Sequence, residues 1–301
     1  MRRAGRLAWI GIGLLACILP ISSAAAFVCT TGMKATFISI HWNTRRVAWA
    51  IQAPGSLTVD PETAKDLIQS SFRAWSEPRC TDLSFEFKGV VGLEVPLESL
   101  SQVRFIHENW QSDGDITRDA RAVALTTMHY EAATGIIRYG VIEVNESDPA
   151  TPRADGFTFA DAAISCPDTA AMDLRAVLTH EVGHFIGLAH TDKVLDDHDQ
   201  PLTLDRQPTM TASVLPCDIW FRTLEVDDLE GLCTIYPEGR SARQCGTLPD
   251  QEGPYVTSVP FGCTTTGGQG AGACAISLLL ARIFLVRRRG REACSSHRSG
   301  R

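Results

Sequence analysis

Residues 180–190 read His180-Glu181-Val182-Gly183-His184-Phe185-Ile186-Gly187-Leu188-Ala189-His190. His180 and His184 are four apart, so on a helix they lie one above the other and can present two imidazole nitrogens to one metal ion. Glu181 points about 100° away. It therefore stands off the ligand stripe but beside the metal's open position. A third ligand needs a change of chain direction. Gly187 can take a left-handed, helix-ending conformation at little cost, and the turn it allows brings His190 back to the metal. Three neutral histidines leave the fourth position of a single Zn2+ open for water, as in catalytic rather than structural sites. The ion would acidify that water and polarise a carbonyl, while Glu181 takes the proton and returns it to a leaving amine. A lone HExxH arises by chance. The extended spacing is far more specific, on a helical background of Val177, Leu178, Val182, Phe185 and Ile186. His41, His107, His129, His198 and His297 lack such company and read as ordinary surface or strand residues.

Elements able to position this motif can be read on both sides of it. Val47-Ala48-Trp49-Ala50-Ile51 is a first strand, and Pro61 opens a helix in which Ala64, Leu67, Ile68, Phe72 and Trp75 recur at helical spacing and which stops before Pro78. Leu83-Ser84-Phe85-Glu86-Phe87 alternates like a half-buried strand; Val103-Arg104-Phe105-Ile106 and residues 123–127 follow. Gly135 marks a turn before a fifth strand, Val141-Ile142-Glu143-Val144. Residues 170–186 are helical again, and a last helix covers 224–232. The order predicts an α+β domain with a twisted mixed sheet.

The ends read differently. Arg2, Arg3 and Arg6 precede an apolar run at 7–21, and Ser23-Ala24-Ala25-Ala26 offers the small residues of a signal-peptide cleavage site. The expectation is a signal peptide at 1–26 and a mature start at Phe27. The alternatives are an uncleaved anchor, for which the run is short, and lipoprotein processing at Cys17. Residues 27–238 form the expected catalytic domain, residues 239–262 turn to Gly, Pro, Ser and Thr as a linker does, and residues 263–301 form a tail. Six cysteines fall in the body: Cys29, Cys80, Cys166, Cys217, Cys233 and Cys245. Export would let them pair. Six allow 15 pairings, and Cys217 with Cys233 flank a short segment that a bridge could close.

Between Phe27 and Gly262 there are 18 Lys and Arg against 34 Asp and Glu, a net charge of about −16, while residues 282–301 carry seven Arg and one Glu. So acidic a body argues against a nucleic-acid partner. Asp196, Asp197, Asp199 and Asp205 could hold Ca2+, or simply form a solvated acidic loop. Nothing in the sequence gives the oligomeric state.

The zinc motif resembles that of the metzincins, and within them the matrixins. Pro208-Thr209-Met210-Thr211 looks like the methionine turn, whose methionine forms an apolar floor beneath the metal; a core methionine in a loop would pack in nearly the same way. Thr191 resembles the hydroxyl residue after the third histidine. Leu224-Glu225-Val226-Asp227-Asp228-Leu229-Glu230-Gly231-Leu232 with Tyr236-Pro237 is similar to the matrixin terminal helix, where the acidic pair ties helix to methionine turn. The resemblance implies a twisted five-stranded mixed sheet, a long active-site helix and a C-terminal helix. It implies a zinc metalloendopeptidase acting on proteins or peptides, and an edge strand at Ala124, Leu125 and Thr126 that pairs with substrate by strand addition. No cysteine-switch propeptide lies between Phe27 and Val47, and residues 192–207 are long for the segment before the methionine turn.

The tail resembles a MYXO-CTERM surface-sorting signal: Cys263, Gly267-Gly268, an apolar stretch at 271–286 interrupted by Arg282, and Arg287-Arg288-Arg289. It implies an exported protein held at the cell surface through the membrane, with processing near Cys263; a plain C-terminal anchor is the alternative. Two rivals for the body are a surface module keeping zinc only for its fold, which would have no need of Glu181, and a zinc hydrolase acting on a non-peptide bond.

Overall fold

A computed structural model describes residues 27–31, 38–113, 116–166, 170–191, 202–242, 256–261 and 264–265. The chain divides into two units, Met1–Thr266 and Gly267–Arg301. The second unit, the signal segment, Cys263, Asp196, Asp197 and Asp199 lie outside the described residues. Among the described residues no helix is long and apolar enough to cross a membrane.

The main elements are β1 (Arg46–Gln52), α1 (Pro61–Ser76), β2 (Ser84–Val91), β3 (Ser101–Phe105), β4 (Ala124–Glu131), β5 (Ile137–Val144), α2 (Leu174–Phe185), α3 (Val226–Ile235) and β6 (Val256–Phe261). The five strands expected from the sequence are all present and lie in the order β4-β5-β3-β1-β2. β2, β1, β3 and β5 run parallel, and β4 is antiparallel to β5. β1 and β2 can pair in parallel because α1 supplies the crossover between them. β5 returns antiparallel to β4 after a tight turn at Gly135, whose φ of +70° few other residues would adopt. β6 was not foreseen: it comes from the stretch read as linker and pairs antiparallel with β4, making the sheet six-stranded.

Asp60 opens α1 by accepting the Thr63 N–H, with Pro61 at the first helical position, where its missing donor costs nothing. The apolar face of α1 packs on the sheet and on α2. Trp49 of β1 stacks on Phe72 with centroids 3.9 Å apart, and Phe72 meets Phe185 of α2 edge-on. The Trp75 indole donates to Thr179 O at 2.8 Å, so the two helices share a polar tie inside the core.

α2 begins at Leu174, later than the periodicity suggests, because Met172–Asp173 is extended and pairs with Phe159–Ala160. Disulfides Cys80–Cys233 and Cys166–Cys217 join described residues of the body. Cys217 and Cys233 are therefore not bonded to each other. Cys233 sits on α3, beyond which Glu238 N donates to Cys80 O, while the Cys217 N–H bonds Ala171 O beside Cys166.

Candidate metal centre and active site

The site is built on α2, and both ends of that helix are fixed. At the start the buried Asp173 carboxylate accepts the Ala176 N–H at 2.7 Å and pairs with Arg222, whose Nε lies 2.8 Å away. A side-chain cap of this kind is worth about 1 kcal/mol. At the other end the last carbonyls need partners. The Trp42 indole donates to Phe185 O at 2.7 Å, and the Tyr236 hydroxyl donates to Ile186 O at 2.7 Å while accepting the Trp42 N–H. The turn then falls on Gly187, with φ +98° and Ile40 O only 2.3 Å from where a Cβ would stand. Both conformation and space require glycine there, and the chain reverses as the sequence reading expected.

That reversal brings three imidazoles together. His180 and His184 are fully buried and His190 is half-buried. Their ligand atoms lie within 4.8 Å of one another, and Nε2 of His190 is 3.1 Å from Nε2 of both others. His180 Nδ1 lies 2.6 Å from Thr209 O and His184 Nδ1 lies 2.8 Å from Leu188 O. A carbonyl can only accept, so these Nδ1 atoms carry the protons and the Nε2 atoms carry lone pairs. Burial, with the His190 imidazole, pulls His180 down to about 3, and burial with His180 and His190 holds His184 well below its ordinary 6.5. Three imidazoles converging on one point, two of them held neutral by burial, are a donor set that fits a divalent, borderline-soft cation such as Zn2+. Among the described residues this is the one such group of three.

Glu181 is buried beside them, and the Thr126 hydroxyl of β4 donates to its Oε2 at 2.6 Å. Thr126, expected on a substrate-pairing edge, also turns its side chain to the helix; only the partner's place in space, not any spacing, could have revealed this bond. Ala124 and Leu125 are buried at the start of the same strand.

Met210 lies under the site. A Cβ on Gly183 would stand 2.1 Å from the Met210 sulfur, so the absence of a side chain at Gly183 admits the methionine between the two ligand turns. Asp228 holds the methionine turn: its carboxylate accepts the N–H groups of Thr209 (2.8 Å), Met210 (3.1 Å) and Glu225 (2.9 Å). Burial pushes this carboxyl up to about 6, against the pull of those three N–H groups. Thr191 N donates to Met210 O, closing the loop from the third histidine.

Of the other histidines, His107 is no idle strand residue. Its Nε2 lies 3.0 Å from the buried Glu146 carboxylate. Asp205 falls in a single helical turn, Leu204–Arg206.

A family model described as Matrixin matches residues 41–196, more than half of the 301-residue chain. No curated protein matches it. The matched span contains β1 to β5, Glu181 and the three histidines, whereas Met210, Asp228 and α3 lie beyond it.

Proposed function

The chain belongs to the matrixin family of zinc metalloproteases, and from that premise we propose that His180, His184 and His190 hold its catalytic zinc and that Glu181 moves the proton in peptide-bond hydrolysis. The observation that carries this reading is the convergence of three histidine Nε2 atoms with a buried carboxylate alongside. Zinc bound there would polarise the scissile carbonyl and make water acidic enough to attack near neutral pH. Glu181 accepts the proton that the attacking water loses and delivers it to the leaving nitrogen, so that one carboxylate serves as base and then acid. Thr126 fixes which carboxylate oxygen faces the reaction, because its hydroxyl already occupies Oε2. Asp228 keeps Thr209 O in place to orient His180, and Met210 fills the space beneath.

Export to the cell exterior or surface, and anchoring through the tail, belong to the same proposal. They are supported by the disulfides Cys80–Cys233 and Cys166–Cys217, which persist in oxidising compartments, and by the sequence of the two termini. The test of the activity is mass spectrometry of fragments from a denatured protein mixture incubated with the chain. New peptide termini should appear, and a zinc chelator should abolish them. Fragments that persist with the chelator would overturn the reading.

A further inference from the structure

Residues 256–261 and 264–265 each pair with a segment close in sequence to residues of the site. β6 pairs antiparallel with β4 over six residues, from Val256 opposite Glu131 to Phe261 opposite Thr126. Thr126 is the residue whose hydroxyl holds Glu181. Thr264–Thr265 then pairs in parallel with Ser213–Val214, three residues past Met210. Only residues 262 and 263, which lie outside the described ones, separate the two pairings. Three Cα–Cα steps span at most about 11 Å, so the ends of the two pairings, Phe261 and Thr264, stand no farther apart than that.

We infer that the peptide-binding surface of this protein is filled by its own C-terminal segment, with residues 256–261 and 264–265 paired as extended strands in the manner of a pseudo-substrate and keeping the intact chain inhibited. The inference rests on the hydrolase reading above. A strand edge offers one row of N–H and C=O groups and can take one partner at a time. With β5 on one side of β4 and β6 on the other, no row remains for a substrate strand. Pro260 has no N–H, which suits a strand that ends a sheet and does not extend it. Tethering makes this effective even when the contact is weak. At an effective concentration of ~1 mM, an intrinsic affinity of ~0.1 mM keeps the edge occupied about ten to one.

The test compares the full chain with the full-length double variant S258P/V259P, which removes two adjacent N–H groups, one of which must face β4. Two readouts are taken: amide hydrogen exchange over 126–131, and kcat/KM on an unrelated peptide substrate. The expected result is faster exchange in the variant and about tenfold higher kcat/KM, with a synthetic peptide of residues 256–265 raising KM again without changing kcat. Equal exchange in the two chains would overturn the pairing. Faster exchange with equal kcat/KM would overturn the inhibition while leaving the hydrolase reading intact. Absence of hydrolysis by either chain would sink the hydrolase reading, and the inhibition with it.

Discussion

On one face of β4 and β5, Thr126 reaches Glu181 and three imidazoles gather beyond it. On the other face Glu143, the β5 partner of Leu125, lies between Arg118 and Arg104. Both clusters are buried and polar, but their internal accounts differ. Glu143 takes both oxygens to Arg118, with Nη2 at 2.9 and 2.8 Å, and Arg104 adds a bond at 3.3 Å while also donating to Gln52. Arg118 further donates to Trp110 O and lies over that indole. Every charge there meets an opposite charge or a carbonyl. In the histidine cluster ring nitrogen meets ring nitrogen instead: the Nε2 atoms of His180 and His184 both meet Nε2 of His190 at 3.1 Å. Buried charge that answers itself supports a fold; buried donors aimed at one point call for a cation.

The sharpest way to break this contrast is Glu181→Gln. It should lower kcat/KM on peptides by about 10³- to 10⁴-fold while zinc content stays unchanged, since a general base is removed and no ligand is touched. Next is Arg118→Met, which leaves Glu143 with too little compensation. Denaturant unfolding should show a loss of about 3–5 kcal/mol, with kcat/KM per folded molecule unaltered. Thr126→Val probes the link between the two faces: losing a hydrogen bond to a charged group, about 1.5–3 kcal/mol, should cut kcat about tenfold to a hundredfold, and KM should hold.

The smallest expected effect is one of slope. Burial alone would raise the Glu146 carboxyl, but hydrogen bonds from His107, Ser56, Thr58 and the Leu57 N–H more than offset it and leave the pKa lowered. A depressed folded pKa gives stability that is present above the unfolded value and lost as pH falls through the folded one. Unfolding free energy followed from neutral pH downward should therefore decline, and Glu146→Gln, less stable at neutral pH, should flatten that decline.

Much of this was legible in the chain because local physics dictates it. The i, i+4 histidines, the helix-ending glycine and the alternating strands are short-range patterns, and each appears where its period put it. The Met210 turn and the Asp228 tie were readable through resemblance, and their bonds agree with it. Pairings distant in sequence were not readable. Thr126 meets Glu181 across 55 residues, His107 meets Glu146 across 39, and Cys80 bonds Cys233 across 153. β6 was missed for a related reason: its residues are ordinary for a loop, and only the exposed edge of β4 makes them a strand.

If the histidines hold the metal and the arginine–glutamate cluster needs none, metal analysis after extensive dialysis will separate wild type, His190→Ala and Arg118→Met at a pH where all three are folded. A single zinc per chain is expected in wild type and in Arg118→Met, and marked loss of zinc from His190→Ala, since two protein ligands on an open site make a poor trap. Zinc retained in His190→Ala as tightly as in wild type would contradict that assignment.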